Sequence, residues 1–136
     1  MAIELLLPMS AHVAITALLY ALLTLFRAPA VWGWGRRLDG SNPWAHLEPR
    51  VSANLSNQFE WPLFFHLGCV LLMLQPPISP LAVGLAWLFV VGRVLHSAVQ
   101  IRTANVRLRG LVFTINFLAV LGLWALLLGG LAVIPN

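Results

Sequence analysis

Long apolar stretches separated by short polar segments dominate the chain. No Asp, Glu, Lys or Arg occurs within residues 5–26, 61–92 or 110–136. A bilayer core requires about 20 apolar helical residues to be crossed. The middle stretch contains the segment Gln75-Pro-Pro-Ile-Ser-Pro80, and because consecutive prolines stop a helix, two spans should meet there in a tight turn. The pattern therefore predicts four membrane-spanning helices, at about 5–26, 51–74, 80–101 and 108–133.

The composition agrees with a membrane protein. Of the 136 residues, 60% are hydrophobic and 9% are charged, whereas a soluble domain usually has about 25% charged residues. We therefore expect one all-α domain over residues 1–136, an integral membrane four-helix bundle. The apolar stretch near the N-terminus has no basic region before it and continues to Arg27, so we expect a retained first span and not a cleaved signal.

The charges indicate an orientation. All eight basic residues are arginines, and they cluster after the first span, before the second, and around the junction of the third and fourth. The positive-inside rule therefore predicts that loops 1–2 and 3–4 are cytoplasmic. No pattern of basic and aromatic residues suited to base stacking is present, so we expect membrane lipids and not nucleic acid as partners.

Glu60 is the only acidic residue between residue 51 and residue 136. A carboxylate at membrane depth costs a few kcal/mol unless it is paired or hydrated, so its presence indicates a functional site. If the second span is one continuous helix with about 100° per residue, its polar residues share a stripe about 120° wide. The residues of this stripe are Arg50, Asn54, Asn57 and Glu60.

The third span has a polar face near its end. Arg93, His96 and Gln100 lie on one side of the predicted helix, and Arg93 precedes Arg102 by about 13 Å at 1.5 Å per residue, well inside the bilayer. Because Glu60 is the only carboxylate available there, our hypothesis is an ion pair between Glu60 and Arg93 that joins the second and third spans. That pairing could be purely structural, and His96 could be either a polar core residue or a substrate contact.

Two arginines, Arg107 and Arg109, begin the fourth span. Positive side chains at a helix N-terminus oppose the helix dipole, so two of them there indicate either control of topology or an anion site. Such a site would favour a carboxylate, a phosphate or a thiolate.

The remaining reactive side chains give weaker signals. The single cysteine, Cys69, lies among apolar residues and is interpreted as core packing. His12 and His66 are isolated in apolar stretches, and no histidine stands at metal-ligand spacing from a second ligand. We therefore expect no metal site.

Together these motifs resemble the MAPEG family, the membrane-associated proteins in eicosanoid and glutathione metabolism, and in particular its small bacterial members. The resemblance covers most of the chain. Its most specific parts are Asn57-Gln-Phe-Glu60-Trp-Pro62 at the second span and Arg93-Val-Leu-His96 in the third, followed by Asn105 and Arg109. The resemblance implies a homotrimer of four-helix subunits that binds glutathione between neighbours, near the cytoplasmic side.

The resemblance also implies roles for individual residues. Asn57 and Glu60 match the family's Asn-x-x-Glu hallmark, Arg93 matches the arginine of the third helix, and His96 stands where relatives have His or Tyr. These residues and Arg27, which closes the first helix, would hold the tripeptide.

Two correspondences remain open. The arginine expected four residues before Asn57 is replaced by Ala53, and aligning Asn54 with the hallmark asparagine restores Arg50 but loses the glutamate. The arginine that stabilises the glutathione thiolate matches either Arg107 or Arg109, and we prefer Arg109.

These features predict a glutathione-dependent membrane transferase or peroxidase that acts on lipophilic electrophiles. Gln100 stands where eicosanoid-making relatives have a tyrosine, which argues against an eicosanoid synthase. The alternative is a non-catalytic protein that keeps the scaffold and binds a lipid or a partner. A small proton-coupled exporter is the least favoured hypothesis, because it would need its carboxylate deep in the first helix.

Overall fold

The computed structural model describes residues 3–132, and this part of the chain folds into helices without a strand. Three of the helices are long and apolar enough to cross a membrane, whereas the segment before the proline turn contributes two shorter ones. In chain order the helices are α1 (Ile3–Trp32), α2 (Glu48–Ser56), α3 (Pro62–Met73), α4 (Pro80–Arg102) and α5 (Val106–Ala132).

The described part of the chain thus has five helices, and the predicted four-helix arrangement needs one correction. The predicted first, third and fourth spans correspond to α1, α4 and α5, although the end of the fourth, at residue 133, lies outside the described residues. The predicted second span is not continuous. It is broken at residues 57–61 into α2 and α3.

Pro62 explains the break. Proline lacks a backbone N–H, and its ring collides with the carbonyl four residues earlier, here that of Gln58. The chain tightens before this point, since Gln58 N donates to Leu55 O at 3.0 Å and Phe59 N to Ser56 O at 3.0 Å. The next helix then begins at Pro62 itself, where the missing donor costs nothing.

The first helix is longer than predicted. It continues past residue 26 to Trp32 and includes the buried Pro29. The guanidinium of Arg36 stabilises this extra turn, because its Nε donates to Pro29 O at 2.6 Å and its second terminal nitrogen to Ala30 O at 3.2 Å. A cation at the end of a helix satisfies carbonyls that lack an intrahelical partner.

Two predictions from the proline residues are confirmed. Pro49 lies in the first turn of α2, and the segment between Met73 and Pro80 separates α3 from α4. Ser79 caps α4, since its hydroxyl accepts a hydrogen bond from Ala82 N at 3.1 Å.

The helix α4 lies at the centre of the packing. Its most extensive contact is with α5, and it also packs against α1, α2 and α3. Phe65 of α3 stacks on Phe89 of α4 with ring centroids 4.0 Å apart. Cys69 is fully buried in the same cluster, which confirms its interpretation as a core residue.

Gly92 allows α4 and α5 to approach closely. A methyl group at Gly92 would overlap Oδ1 of Asn116, whose side chain is completely buried between the two helices. Small residues at such crossings are typical of membrane helices, because close backbone approach replaces the hydrophobic driving force.

We predict that Gly92→Ala lowers the free energy of unfolding by about 1–3 kcal/mol, the usual cost of overpacking a tight interface. Gly84→Ala is the matched control, because Gly84 lies on the same helix and a methyl group there would meet nothing within 4 Å. Unfolding in detergent measures both variants. Equal stability of the two would contradict the close approach at Gly92.

Candidate functional site

Three adjoining cavities form one polar groove between α2, the helix break, α4 and α5. Their volumes are about 410, 510 and 340 Å³. The first two share Asn57, His96 and Phe113, and the second and third share Ala53, Gln100 and Arg109. We call the continuous surface the polar groove. Its charged lining residues are Arg50, Glu60, Arg93 and Arg109.

Arg93 is the most deeply buried charged residue of the described chain, with 1% of its surface exposed. Its Nε donates to the side-chain carbonyl of Gln58 at 3.1 Å, and one terminal nitrogen donates to the backbone carbonyl of Asn57 at 2.9 Å. The helix break supplies this second acceptor, because a continuous helix would engage that carbonyl internally. The remaining terminal nitrogen makes no hydrogen bond among the described residues, and the arginine lines the polar groove.

The hypothesis of a Glu60–Arg93 ion pair is wrong. Both residues line the same cavity, yet they form no ion pair, and Glu60 is exposed. The prediction assumed one continuous helix that placed Glu60 on the inward stripe. Because the helix is broken before Glu60, the neighbouring Gln58 points inward instead, and the carboxylate remains available at the groove wall.

Gln100 orients both asparagines of the predicted stripe. Its side-chain carbonyl accepts hydrogen bonds from Asn54 Nδ2 at 2.9 Å and from Asn57 Nδ2 at 3.1 Å. Asn54 is thereby fully buried, whereas Asn57 still lines the groove. Gln100 therefore joins α2 to α4.

The polar face predicted for α4 is confirmed, since Arg93, His96 and Gln100 are all buried on one side of the helix. His96 faces the ring of Phe113 across the groove, with centroids 6.1 Å apart. Its Nδ1 is buried without a hydrogen-bond partner within the described part of the chain. Buried polar atoms normally have a partner, so this nitrogen is an exception within the lining of the groove.

The start of α5 brings one of the two arginines into the groove. Asn105 caps the helix, because its Oδ1 accepts a hydrogen bond from Leu108 N at 3.0 Å. Arg109 lines two of the three cavities, while Arg107 is exposed and lines none of them. A capped helix start beside a guanidinium favours an anion.

Two further predicted arginines have defined positions. One terminal nitrogen of Arg50 donates to Ile101 O at 3.3 Å, which connects α2 to the end of α4 at the groove. Arg27 lies away from the groove, where its Nε pairs with Glu48 at 2.7 Å and its terminal nitrogen contacts Ser52 Oγ at 3.3 Å. The structure therefore does not bring Arg27 together with the other candidate residues.

Sequence reasoning missed three polar contributors. Gln58 was part of the recognised motif, but a continuous helix gave no reason to single it out. His12 and His66 were read as isolated, yet His12 Nδ1 lies 3.0 Å from His66 Nε2, and His12 Nε2 lies 3.1 Å from Gln58 Oε1. Histidines distant in sequence carry no signal of contact until the helices are packed.

Comparison with known proteins gives one match. The model of the MAPEG family matches residues 5–129, which is most of the chain and includes every residue of the polar groove. Neither the curated proteins nor the solved structures give a significant match.

The hydrogen bonds of Arg93 generate a prediction about stability. Gln58→Leu removes the carbonyl that receives Arg93 and leaves a buried charged donor unpaired, so the free energy of unfolding should fall by about 2–4 kcal/mol. Glu60→Gln should change it by no more than about 0.5 kcal/mol, because the exposed carboxylate forms no ion pair with Arg93. Denaturation of both variants in detergent tests this. A larger loss from Glu60→Gln than from Gln58→Leu would show that the carboxylate holds the arginine.

Proposed function

The chain belongs to the MAPEG family, and we propose that it is a glutathione-dependent membrane transferase or peroxidase that acts on lipophilic electrophiles. The polar groove would hold glutathione as co-substrate. The observation that carries the proposal is the set of charges that line this groove, with three guanidinium groups and one carboxylate beside two side-chain amides and an imidazole.

The charge pattern is complementary to the tripeptide. Glutathione carries two carboxylates, one ammonium group and one thiol. The three arginines can receive the two carboxylates and a thiolate, while Glu60 is the one acceptor with full negative charge for the ammonium group. Asn57 and the remaining terminal nitrogen of Arg93 add hydrogen-bond donors at the same wall.

Arg109 is the residue that we assign to the thiol. It lines the groove from the start of α5, where the capped helix end also favours negative charge. A guanidinium close to a thiol in a low-dielectric site favours the thiolate and so raises its concentration at neutral pH. Arg107 points outside the groove and is assigned to the positively charged end of the molecule.

The proposed reaction needs no covalent bond to the protein. The thiol releases its proton to water at the groove mouth, and the thiolate attacks an electrophilic carbon of a substrate held beside it. A carbon–sulfur bond forms while the leaving group departs with its electron pair. The protein contributes activation of the nucleophile and proximity of the two reactants.

The distribution of arginines supports an orientation in the membrane. Apart from Arg93, every arginine lies near the end of the bundle formed by the C-termini of α1 and α4 and the N-termini of α2 and α5. The positive-inside rule places this end, and with it the mouth of the groove, on the cytoplasmic side of a bacterial inner membrane. We further propose that three copies assemble, as the family resemblance implies.

The first functional prediction compares two neighbouring arginines. Arg109→Ala should lower the rate of glutathione conjugation to an aryl halide by about 10²- to 10³-fold, the usual effect of removing one donor to a reacting anion. Arg107→Ala should retain the rate, because Arg107 does not line the groove. Both arginines are exposed, so a difference between the variants does not come from burial. The ultraviolet absorbance of the bound thiolate should disappear in the first variant alone. Loss of conjugation in Arg107→Ala with retention in Arg109→Ala would contradict the assignment.

The second functional prediction concerns Glu60. If the carboxylate receives the ammonium group, Glu60→Gln should weaken glutathione binding by about tenfold or more in calorimetry, since charged hydrogen bonds contribute about 1.5–3 kcal/mol. Glutathione that lacks the amino group should bind both forms equally. If the wild-type protein binds no glutathione but forms a stable oligomer in native mass spectrometry, the alternative of a non-catalytic scaffold replaces the enzyme.

A further inference from the structure

A further cavity, separate from the polar groove, lies on the other side of the helix break, between α1 and α3. Its volume is about 400 Å³, and it shares no lining residue with the polar groove. We call it the histidine pocket. Its polar inner end is formed by His12, Gln58 and His66, and apolar side chains with Ala17 and Tyr20 form its walls and mouth.

The hydrogen bonds behind this pocket determine where its protons lie. The Arg93 Nε–H can only donate, so the Gln58 atom 3.1 Å away must be the carbonyl oxygen. The amide nitrogen of Gln58 faces the backbone carbonyl of Asn54 at 3.2 Å, which agrees with this orientation. Gln58 Oε1 also lies 3.1 Å from His12 Nε2. Because an oxygen accepts and cannot donate, His12 Nε2 carries the proton.

The assignment continues to the second histidine. A neutral imidazole has one donor and one acceptor nitrogen, so His12 Nδ1 is an acceptor. Its partner at 3.0 Å, His66 Nε2, must then donate. The remaining nitrogen, His66 Nδ1, has an unused lone pair. It forms no hydrogen bond among the described residues. It is also absent from the set of their side-chain atoms that are both inaccessible to solvent and without a hydrogen-bond partner.

The other polar groups near the inner end have no proton to offer a ligand. Both acceptor positions of Gln58 Oε1 are occupied, and its amide protons face Asn54 and Ser97. The hydroxyl of Thr16 donates to His12 O at 3.1 Å. A ligand that reaches the inner end must therefore bring its own proton, and the apolar walls require that the rest of it be lipid-soluble.

We propose that the histidine pocket binds a lipid-soluble molecule with a neutral hydroxyl group, a phenol or a long-chain alcohol, and that this hydroxyl donates to Nδ1 of His66. A ketone, ester or ether of the same shape cannot satisfy the nitrogen. A carboxylate is disfavoured as well, because the nearest guanidinium, that of Arg93, lies behind Gln58 and is directed away from the pocket. The proposal does not depend on glutathione binding.

The test compares para-octylphenol with its methyl ether, which has nearly the same shape but no hydroxyl proton. The protein is labelled with ¹⁵N-histidine, placed in lipid nanodiscs without glutathione, and titrated while the imidazole signals are recorded. The phenol should shift the His66 Nδ1 signal and saturate it. The ether should need a concentration roughly 3- to 10-fold higher, the range for one neutral hydrogen bond. His46, in the exposed loop, is the internal control.

Two substitutions of alanine by phenylalanine in α1 test the location of the site. Ala17→Phe fills the pocket and should abolish the phenol-dependent shift, whereas Ala14→Phe adds the same ring to the same helix at an exposed position outside the pocket and should retain it. Equal affinity for phenol and ether, no saturable shift with either, or retention of the shift in Ala17→Phe would each overturn the proposal. A change of oligomer size in native mass spectrometry for Ala17→Phe alone would also overturn it, because this face would then be a contact between copies of the chain.

Discussion

The buried guanidinium of Arg93 and the break in the second span depend on each other. A charge at this depth is costly unless acceptors surround it, and backbone carbonyls without partners are costly in the same environment. The break exposes the Asn57 carbonyl and turns Gln58 inward, and both accept from Arg93 at 2.9 and 3.1 Å. The two carbonyl groups therefore satisfy the buried guanidinium, and the guanidinium supplies the donors that these carbonyls need. Pro62 favours the break, because its ring and its missing N–H disrupt a continuing helix.

This junction also lies between the polar groove and the histidine pocket. Gln58 Oε1 accepts from Arg93 on the side of the polar groove and from His12 on the side of the histidine pocket. The side chain is almost completely buried, and the same oxygen accepts from both sides. The same short segment leaves Glu60 exposed at the groove wall, where its carboxylate can contact a ligand.

Much of the fold could be predicted from the sequence, because apolar length and proline position are strong signals. The three long helices and the turn before Pro80 followed from them, and the polar face of α4 followed from the helical spacing of its polar residues. The break in the second span was not predicted, although Pro62 is a residue that disrupts helices. The polar stripe fitted a continuous helix. Asn116, whose buried side chain has no hydrogen-bond partner among residues 3–132, gave no signal within its apolar run.

The candidate site was predicted in outline and corrected in detail. Residue types that are rare in membranes identified Arg93, Glu60 and Arg109, and the structure places all three on one groove. Which of them contact each other depended on helix packing, which residue spacing alone does not encode. Solid-state NMR in bilayers measures that contact most directly, through dipolar coupling between the ¹⁵Nε of Arg93 and the ¹³C-labelled side-chain carbonyls. A strong coupling to Gln58 with none to Glu60 is expected, and the reverse would contradict the junction described here.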